Sequence, residues 1–270
     1  MKQKILITIG VLVALYVGIS VTLYSQQESL VFYPKIANGR GPLTPAPEHF
    51  KEISLTTKDG VNLHGLQTAK PTENPYIVFF GGNAQNLVNF SNFLHKSLPN
   101  VNLVGFNYRG FGKSEGTPTK KHLIQDVHEV ALWVRNNLPP DAPIYSLGLS
   151  LGTGPATKYA ALTQAEGLLL VMPYDTLAKV AADAYPLLPT ESLFNDNFVT
   201  TSYMAKYEGP VGIVVAADDK LIRPKRSRAL ARHVKNLVVY QELPDQTHAS
   251  MIDAQVLSDW LRKAFKELRP

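Results

Sequence analysis

The chain has 270 residues, a formal net charge of +5, 45% apolar and 18% charged residues, and no cysteine. That balance is globular rather than disordered, and the missing cysteine excludes disulfides, thiolate metal sites, a cysteine nucleophile and lipoprotein acylation. The mild positive charge suits an anionic surface or substrate and gives no ground for a nucleic-acid partner.

The first predicted element is a membrane helix. Residues 5–24, "ILITIGVLVALYVGISVTLY", carry no charge, and about 20 helical residues cross a hydrocarbon layer of about 30 Å. Lys2 and Lys4 precede the run and the next cation is Lys35, so the positive-inside rule puts the N-terminus in the cytoplasm and the remainder on the periplasmic or extracytoplasmic side. An uncleaved signal-anchor is the preferred reading because the run exceeds an ordinary signal-peptide core of about 7–15 residues. The alternative is a secreted protein released after cleavage near Gly18-Ile19-Ser20. We expect an anchor with its flanks over residues 1–27 and one domain over 28–270.

A Pro- and Gly-rich stretch follows and reads as a tether laid against the domain. "KEISLTT" and "VNLHGLQTA" alternate around Asp59-Gly60 and predict an antiparallel hairpin. Apolar runs then recur at 76–82, 101–108, 143–149, 167–172, 210–217 and 236–243. Short, fully apolar runs suit parallel strands covered on both faces. Between them, "HLIQDVHEVALWVRNNL" and the final "SMIDAQVLSDWLRKAFKEL" place apolar residues three and four apart, as one face of a helix requires. The predicted fold class is α/β: a mostly parallel twisted sheet with an N-terminal antiparallel hairpin and helices on both faces. Residues 173–205 are too many for a simple crossover and predict a short lid.

The chemistry centres on "GLSLG", residues 148–152. An apolar run enters it and a helical stretch leaves it, the context in which G-x-S-x-G forms a nucleophile elbow with Ser150 on a strained turn. Gly148 and Gly152 are expected because side chains there would collide. A serine needs a base, and the base an orienting carboxylate. Of seven histidines, His248 alone sits in the loop between the last strand and the last helix. Asp219, at the end of the run before it, opens an Asp-x-x-Ile-x-Pro turn and is the preferred acid. Asp218 and Asp175 are the alternatives, one member of the Asp218-Asp219 pair being expected to cap the next helix, and Asp245 is a turn residue. The oxyanion donors are expected to be the N–H groups of Leu151 and of Asn83, which follows Gly81-Gly82.

"FFGGNAQN", "FNYRGFGKSEGTP", "SLGLSLGTGPA", "ADDKLIRP" and "DQTHASM" resemble, in order, the blocks of the α/β-hydrolase superfamily, and most closely its small membrane-anchored serine hydrolases. The resemblance spans about residues 28–268. It implies an α/β-hydrolase fold, with Ser150 as nucleophile, His248 as base, Asp219 as acid, and Asn83 and Leu151 as oxyanion donors. Two positions depart from the pattern: Gly81-Gly82 stands where relatives carry His-Gly, and Asp175 where they carry a hydroxyl residue.

Other motifs carry less. "GFGKSEG" lacks the first glycine of a phosphate loop, Asn107 standing in its place, and Tyr108-Arg109-Gly110 reads instead as a turn supporting the floor of the site. The seven cations within residues 220–235 read as a solvated helix face. No His/Asp/Glu spacing predicts a metal, and no cofactor is expected. The expected activity is hydrolysis of a carboxylic ester or thioester by a Ser-His-Asp triad, with a small-molecule, lipid or acyl substrate. Amide or peptide cleavage by the same triad and a non-catalytic membrane-tethered scaffold are the alternatives. Substrate identity and oligomeric state carry no sequence signal.

Overall fold

The uniform apolarity of the strand-forming runs is matched by their position: residues 76–80, 102–106 and 167–171 are buried throughout, and 144–149 at every position but Ile144. The structure, a computed structural model, describes residues 1–39, 45–193, 199–252 and 255–269. Residues 194–198, in the middle of the expected lid, lie outside the described residues.

The elements run α1 (Lys2–Val31), α2 (Pro34–Asn38), β1 (Phe50–Thr56), β2 (Asn62–Thr68), β3 (Tyr76–Phe80), α3 (Leu87–Ser97), β4 (Asn102–Phe106), α4 (Lys120–Asn137) and β5 (Ile144–Leu149). They continue with α5 (Thr153–Thr163), β6 (Gly167–Val171), α6 (Leu177–Ala184), α7 (Thr190–Leu193), α8 (Thr200–Met204), β7 (Val211–Ala216), α9 (Pro224–Ala231), β8 (Leu237–Leu243), α10 (His248–Met251) and α11 (Gln255–Leu268). One sheet orders the strands β1-β2-β4-β3-β5-β6-β7-β8. β1, β2 and β4 pair antiparallel, whereas the ladder from β4 through β3 to β8 is parallel.

Chain order reverses direction between β3 and β5, a topological switch point, and a crevice opens there beyond the carboxyl ends of the strands. The register sets those ends level: Phe80 lies opposite Gly148, Leu149 opposite Val171, and Ala216 opposite Leu243. Every loop that leaves a parallel strand therefore emerges on one edge.

Two hydrophobic layers fill the faces of the sheet. One gathers Phe79, Phe90, Leu147, Trp260 and Phe265 under α3 and α11. The other gathers Phe80, Val127, Tyr159 and Ile213 under α4 and α5. A third, smaller cluster at the strand ends contains Phe32, Phe111, Leu151, Tyr174, Leu177 and Ile222. Arg109 is buried and bridges Asp59 in the β1–β2 turn to Asp126 on α4, with four contacts of 2.6–2.9 Å. Charge-assisted pairing of this kind satisfies a guanidinium that burial would otherwise penalise heavily.

Three local expectations are revised. The last strand is not covered on both faces: β8 is the edge of the sheet and leaves Leu237, Val238 and Tyr240 part-exposed. The final helical stretch is broken, because Ile252 turns extended (φ −74°, ψ 131°) and ends α10 after one turn. Within 173–205, α8 belongs to the core, with Thr200 and Met204 fully buried, and among the described residues the exposed ones cluster at 184–187 after α6.

α1 stands apart in character. Its 30 residues extend roughly 45 Å, and Leu6, Leu12, Leu15 and Ile19 are all more than half exposed. Such a helix is apolar enough to cross a membrane or to serve as a signal sequence.

Candidate active site

Ser150 follows β5 with φ +51°, in the left-handed region that costs a β-carbon residue strain. Two glycines make that bend sterically feasible. A Cβ at Gly152 would stand 2.1 Å from the carbonyl oxygen of Phe80 and 2.5 Å from that of Gly81. One at Gly148 would meet the Gly152 oxygen and the Thr153 Cα, each at 2.6 Å. The start of α5 thus lies directly on the end of β3, and only hydrogen fits between them. The bend is pinned further by Thr153 Oγ1, which donates to the Ser150 oxygen at 2.7 Å, and by the Tyr174 hydroxyl, which donates to the Leu151 oxygen at 3.1 Å. Ser150 is 6% exposed.

β3 is adjacent to β5, so the Gly81-Gly82-Asn83 loop emerges beside the elbow. The Tyr108 hydroxyl donates to the Gly81 oxygen at 2.7 Å, and desolvation pushes its pKa far above the ordinary phenol value, keeping it a donor. The Tyr108 turn, expected to support the floor of the site, thus holds the backbone of the Gly81-Gly82-Asn83 loop. Asn83 has an unforeseen neighbour: its Oδ1 accepts the backbone N–H of Tyr33 at 2.9 Å. Asn86 Nδ2 reaches the Ala37 oxygen, and Asn38 Oδ1 accepts from the Gly112 N–H at 2.6 Å. The segment after α1 is therefore seated on the loop that carries the candidate oxyanion donor, with the Phe32 side chain buried in the cluster that includes Leu151.

This seating makes a local prediction. Phe32→Ala is expected to remove about 3 kcal/mol of packing from segment 32–38. Hydrogen exchange should speed there and at residues 81–86 while β5 to β7 amides keep their protection. Uniform acceleration across the sheet would show instead that Phe32 supports the whole fold.

β7 and β8 are neighbours, and their loops meet. His248 Nδ1 lies 2.6 Å from Asp219 Oδ2, and that aspartate is 3% exposed. The other carboxylate oxygen accepts the N–H groups of Leu221 and Ile222 at 2.8 and 2.9 Å. The Asp-x-x-Ile turn thus holds one oxygen and presents the second to the imidazole. His248 does not sit in an open loop; it is the first residue of α10, whose cap is a reciprocal pair of Thr247 and Ser250. Met251, three residues on, is fully buried in the cluster that contains Leu149, next to Ser150 in sequence.

The other aspartates are placed elsewhere. Asp175 follows β6 and is buried, but its carboxylate takes the Thr176 N–H, Arg226 at 3.2 Å and Lys179 at 3.5 Å. Arg226 and Lys225 also pair with Asp183 on α6, so these charges tie α6 to α9. The cation-rich segment is accordingly more paired than a bare solvated face, with Arg228 on Glu242 and Lys235 on Glu208 as well. Asp218 is exposed. Neither Asp218 nor Asp219 caps α9, whose capping position is Arg223. Asp245 has φ +57°, as a tight-turn residue does.

A family model described as the alpha/beta hydrolase fold matches residues 75–199. YfhR of Salmonella typhi, an uncharacterized protein, is 31% identical over 228 residues, covering 76% of this chain and 76% of its own. Human alpha/beta hydrolase domain-containing protein 17B is 30% identical over 188 residues, 63% of each chain. Among solved structures, an esterase of Pyrococcus furiosus superposes with a TM-score of 0.64 at 18% identity, covering 86% of this chain and 98% of that one. Est1E from Butyrivibrio proteoclasticus, solved with ferulic acid, gives 0.63 at 18% identity, covering 80% and 99%. With relatives in sequence and neighbours in fold, the chain belongs to the α/β-hydrolase superfamily.

Proposed function

We propose that the protein is a serine hydrolase that cleaves a carboxylic ester or thioester through an acyl-enzyme, held at a membrane by α1 with its domain on the extracytoplasmic side. The observation that carries this reading is the 2.6 Å contact between His248 Nδ1 and Asp219 Oδ2, joined to an elbow serine at φ +51°. An imidazole whose Nδ1 is bound by a carboxylate keeps its proton on that side and leaves Nε2 as a base.

In this mechanism His248 removes the Ser150 proton as Oγ attacks the carbonyl carbon. The N–H groups of Leu151 and Asn83 receive the oxyanion that forms, at the positive end of α5. The imidazolium then protonates the departing alcohol or thiol. Water enters, His248 takes its proton, and the second tetrahedral intermediate collapses to the acid and free Ser150. The Asp219 carboxylate orients the ring and stabilises the imidazolium in both halves.

The test is a fluorophosphonate probe on the full-length protein in detergent. Labelling is expected on the parent chain and lost in Ser150→Ala. A folded parent chain that takes no label would favour a tethered scaffold, and label retained in Ser150→Ala would place the nucleophile elsewhere.

A further inference from the structure

Between α1 and the turn that follows α6 lies a groove of about 700 Å³ lined by Leu15, Ile19, Leu23, Tyr185 and Leu188, among others. The turn itself is apolar and uncovered: Leu187 is 86% exposed and Tyr185 40%. In water such a patch is a liability. Its depth supplies the occupant. On the anchor reading, the apolar run ends near Tyr24, and the α1 residues of the groove run from Val11 to Leu23. At 1.5 Å per residue they lie roughly 2–20 Å inside the hydrocarbon on the domain side. The material that fills an apolar groove at that depth is a lipid chain.

α6 runs from beside the candidate active site to the groove. α6 begins at Leu177, buried in the same cluster as Leu151 and Ile222, and Val180 packs on that cluster one turn later. Its eight residues span about 12 Å and end at Tyr185 in the groove. Phe32, just past α1, belongs to the same cluster. α6 thus links the groove at one end to the apolar cluster that holds Leu151 at the other.

We propose that this groove is an acyl-chain site open to the bilayer, that turn 185–188 is immersed in the leaflet, and that the substrate is an amphiphile drawn from it. The proposal rests on the membrane-held hydrolase reading and adds to it where the substrate comes from.

Two measurements on the full-length chain test it. Leu188→Trp, reconstituted in phosphatidylcholine vesicles, is expected to add an emission that acyl-chain-brominated phosphatidylcholine quenches and aqueous iodide does not, relative to the parent with Trp133 and Trp260. Quenching by iodide with indifference to bromine overturns the site, and this readout needs no catalysis. Leu188→Glu, which puts a charge where hydrocarbon opposes it, is expected to lose about tenfold or more of turnover on a long-chain ester in vesicles. Hydrolysis of a short water-soluble ester, which has no chain to place in the groove, is expected to fall less, so that the long-chain to short-chain rate ratio drops about tenfold. Equal losses on both substrates, or none on either, overturn the access path. A bromine-quenched tryptophan in a chain that takes no fluorophosphonate would keep the acyl site and discard the hydrolase.

Discussion

Asp219→Asn is expected to lower kcat/KM for ester hydrolysis by about ten-thousand-fold without unfolding the protein. The asparagine side chain is the same size, so the two turn N–H groups at 2.8 and 2.9 Å keep an oxygen acceptor. What changes is the partner of His248 Nδ1. An amide nitrogen facing the ring would demand an acceptor there, move the imidazole proton to Nε2, and remove the base from the side that faces Ser150. The charge that stabilises the imidazolium would go as well.

Asp175→Asn provides the contrast. Its carboxylate is committed to Arg226 and Lys179, so the loss is structural: about 1–3 kcal/mol for a buried charge-assisted contact left half-made. Arg226 would retain Asp183 at 3.0 Å. Thermal midpoint should fall while turnover of the folded fraction stays within a few-fold of the parent. Steady-state kinetics and a melting curve on the two variants decide the matter. If Asp175→Asn silences the enzyme and Asp219→Asn does not, the acid has been assigned to the wrong strand.

This pair also marks where sequence reasoning stops. Both aspartates follow apolar strands, and both loops open on the same sheet edge. What separates them is Arg226, which lies 51 residues from Asp175 and has no spacing signal toward it. The elbow was legible because its constraint is local: a serine between two glycines, entered by a strand and left by a helix, has few other uses. The sheet was legible because strands covered on both faces must be apolar throughout. β8 carried the same apolar pattern yet lies at an edge, since hydrophobicity records a preference for burial and says nothing of which neighbour provides it. The break at Ile252 was hidden because apolar spacing runs on across it. The contact from Tyr33 to Asn83 was hidden for a different reason: its donor is a backbone N–H, which every residue but proline possesses.

Gly152→Ala is expected to cost at least about 3 kcal/mol and most of the activity, toward the upper end of overpacking penalties. The methyl carbon would arrive 2.1 Å from the Phe80 oxygen and 2.6 Å from its carbonyl carbon. Neither atom belongs to a flexible side chain. Phe80 is the last residue of β3, in register with Gly148 of β5, so relief requires the helix start to lift from the sheet or the ladder between these two central strands to part. Either movement separates the Leu151 N–H from the Gly81-Gly82-Asn83 loop, the two sides from which an oxyanion would be held. Denaturation in urea should show a lower midpoint at an unchanged slope, and fluorophosphonate labelling of the folded fraction should slow sharply even though Ser150 and His248 are intact. A variant with parental midpoint and labelling rate would mean that the elbow is looser than these contacts require, and that the glycine serves flexibility rather than close approach.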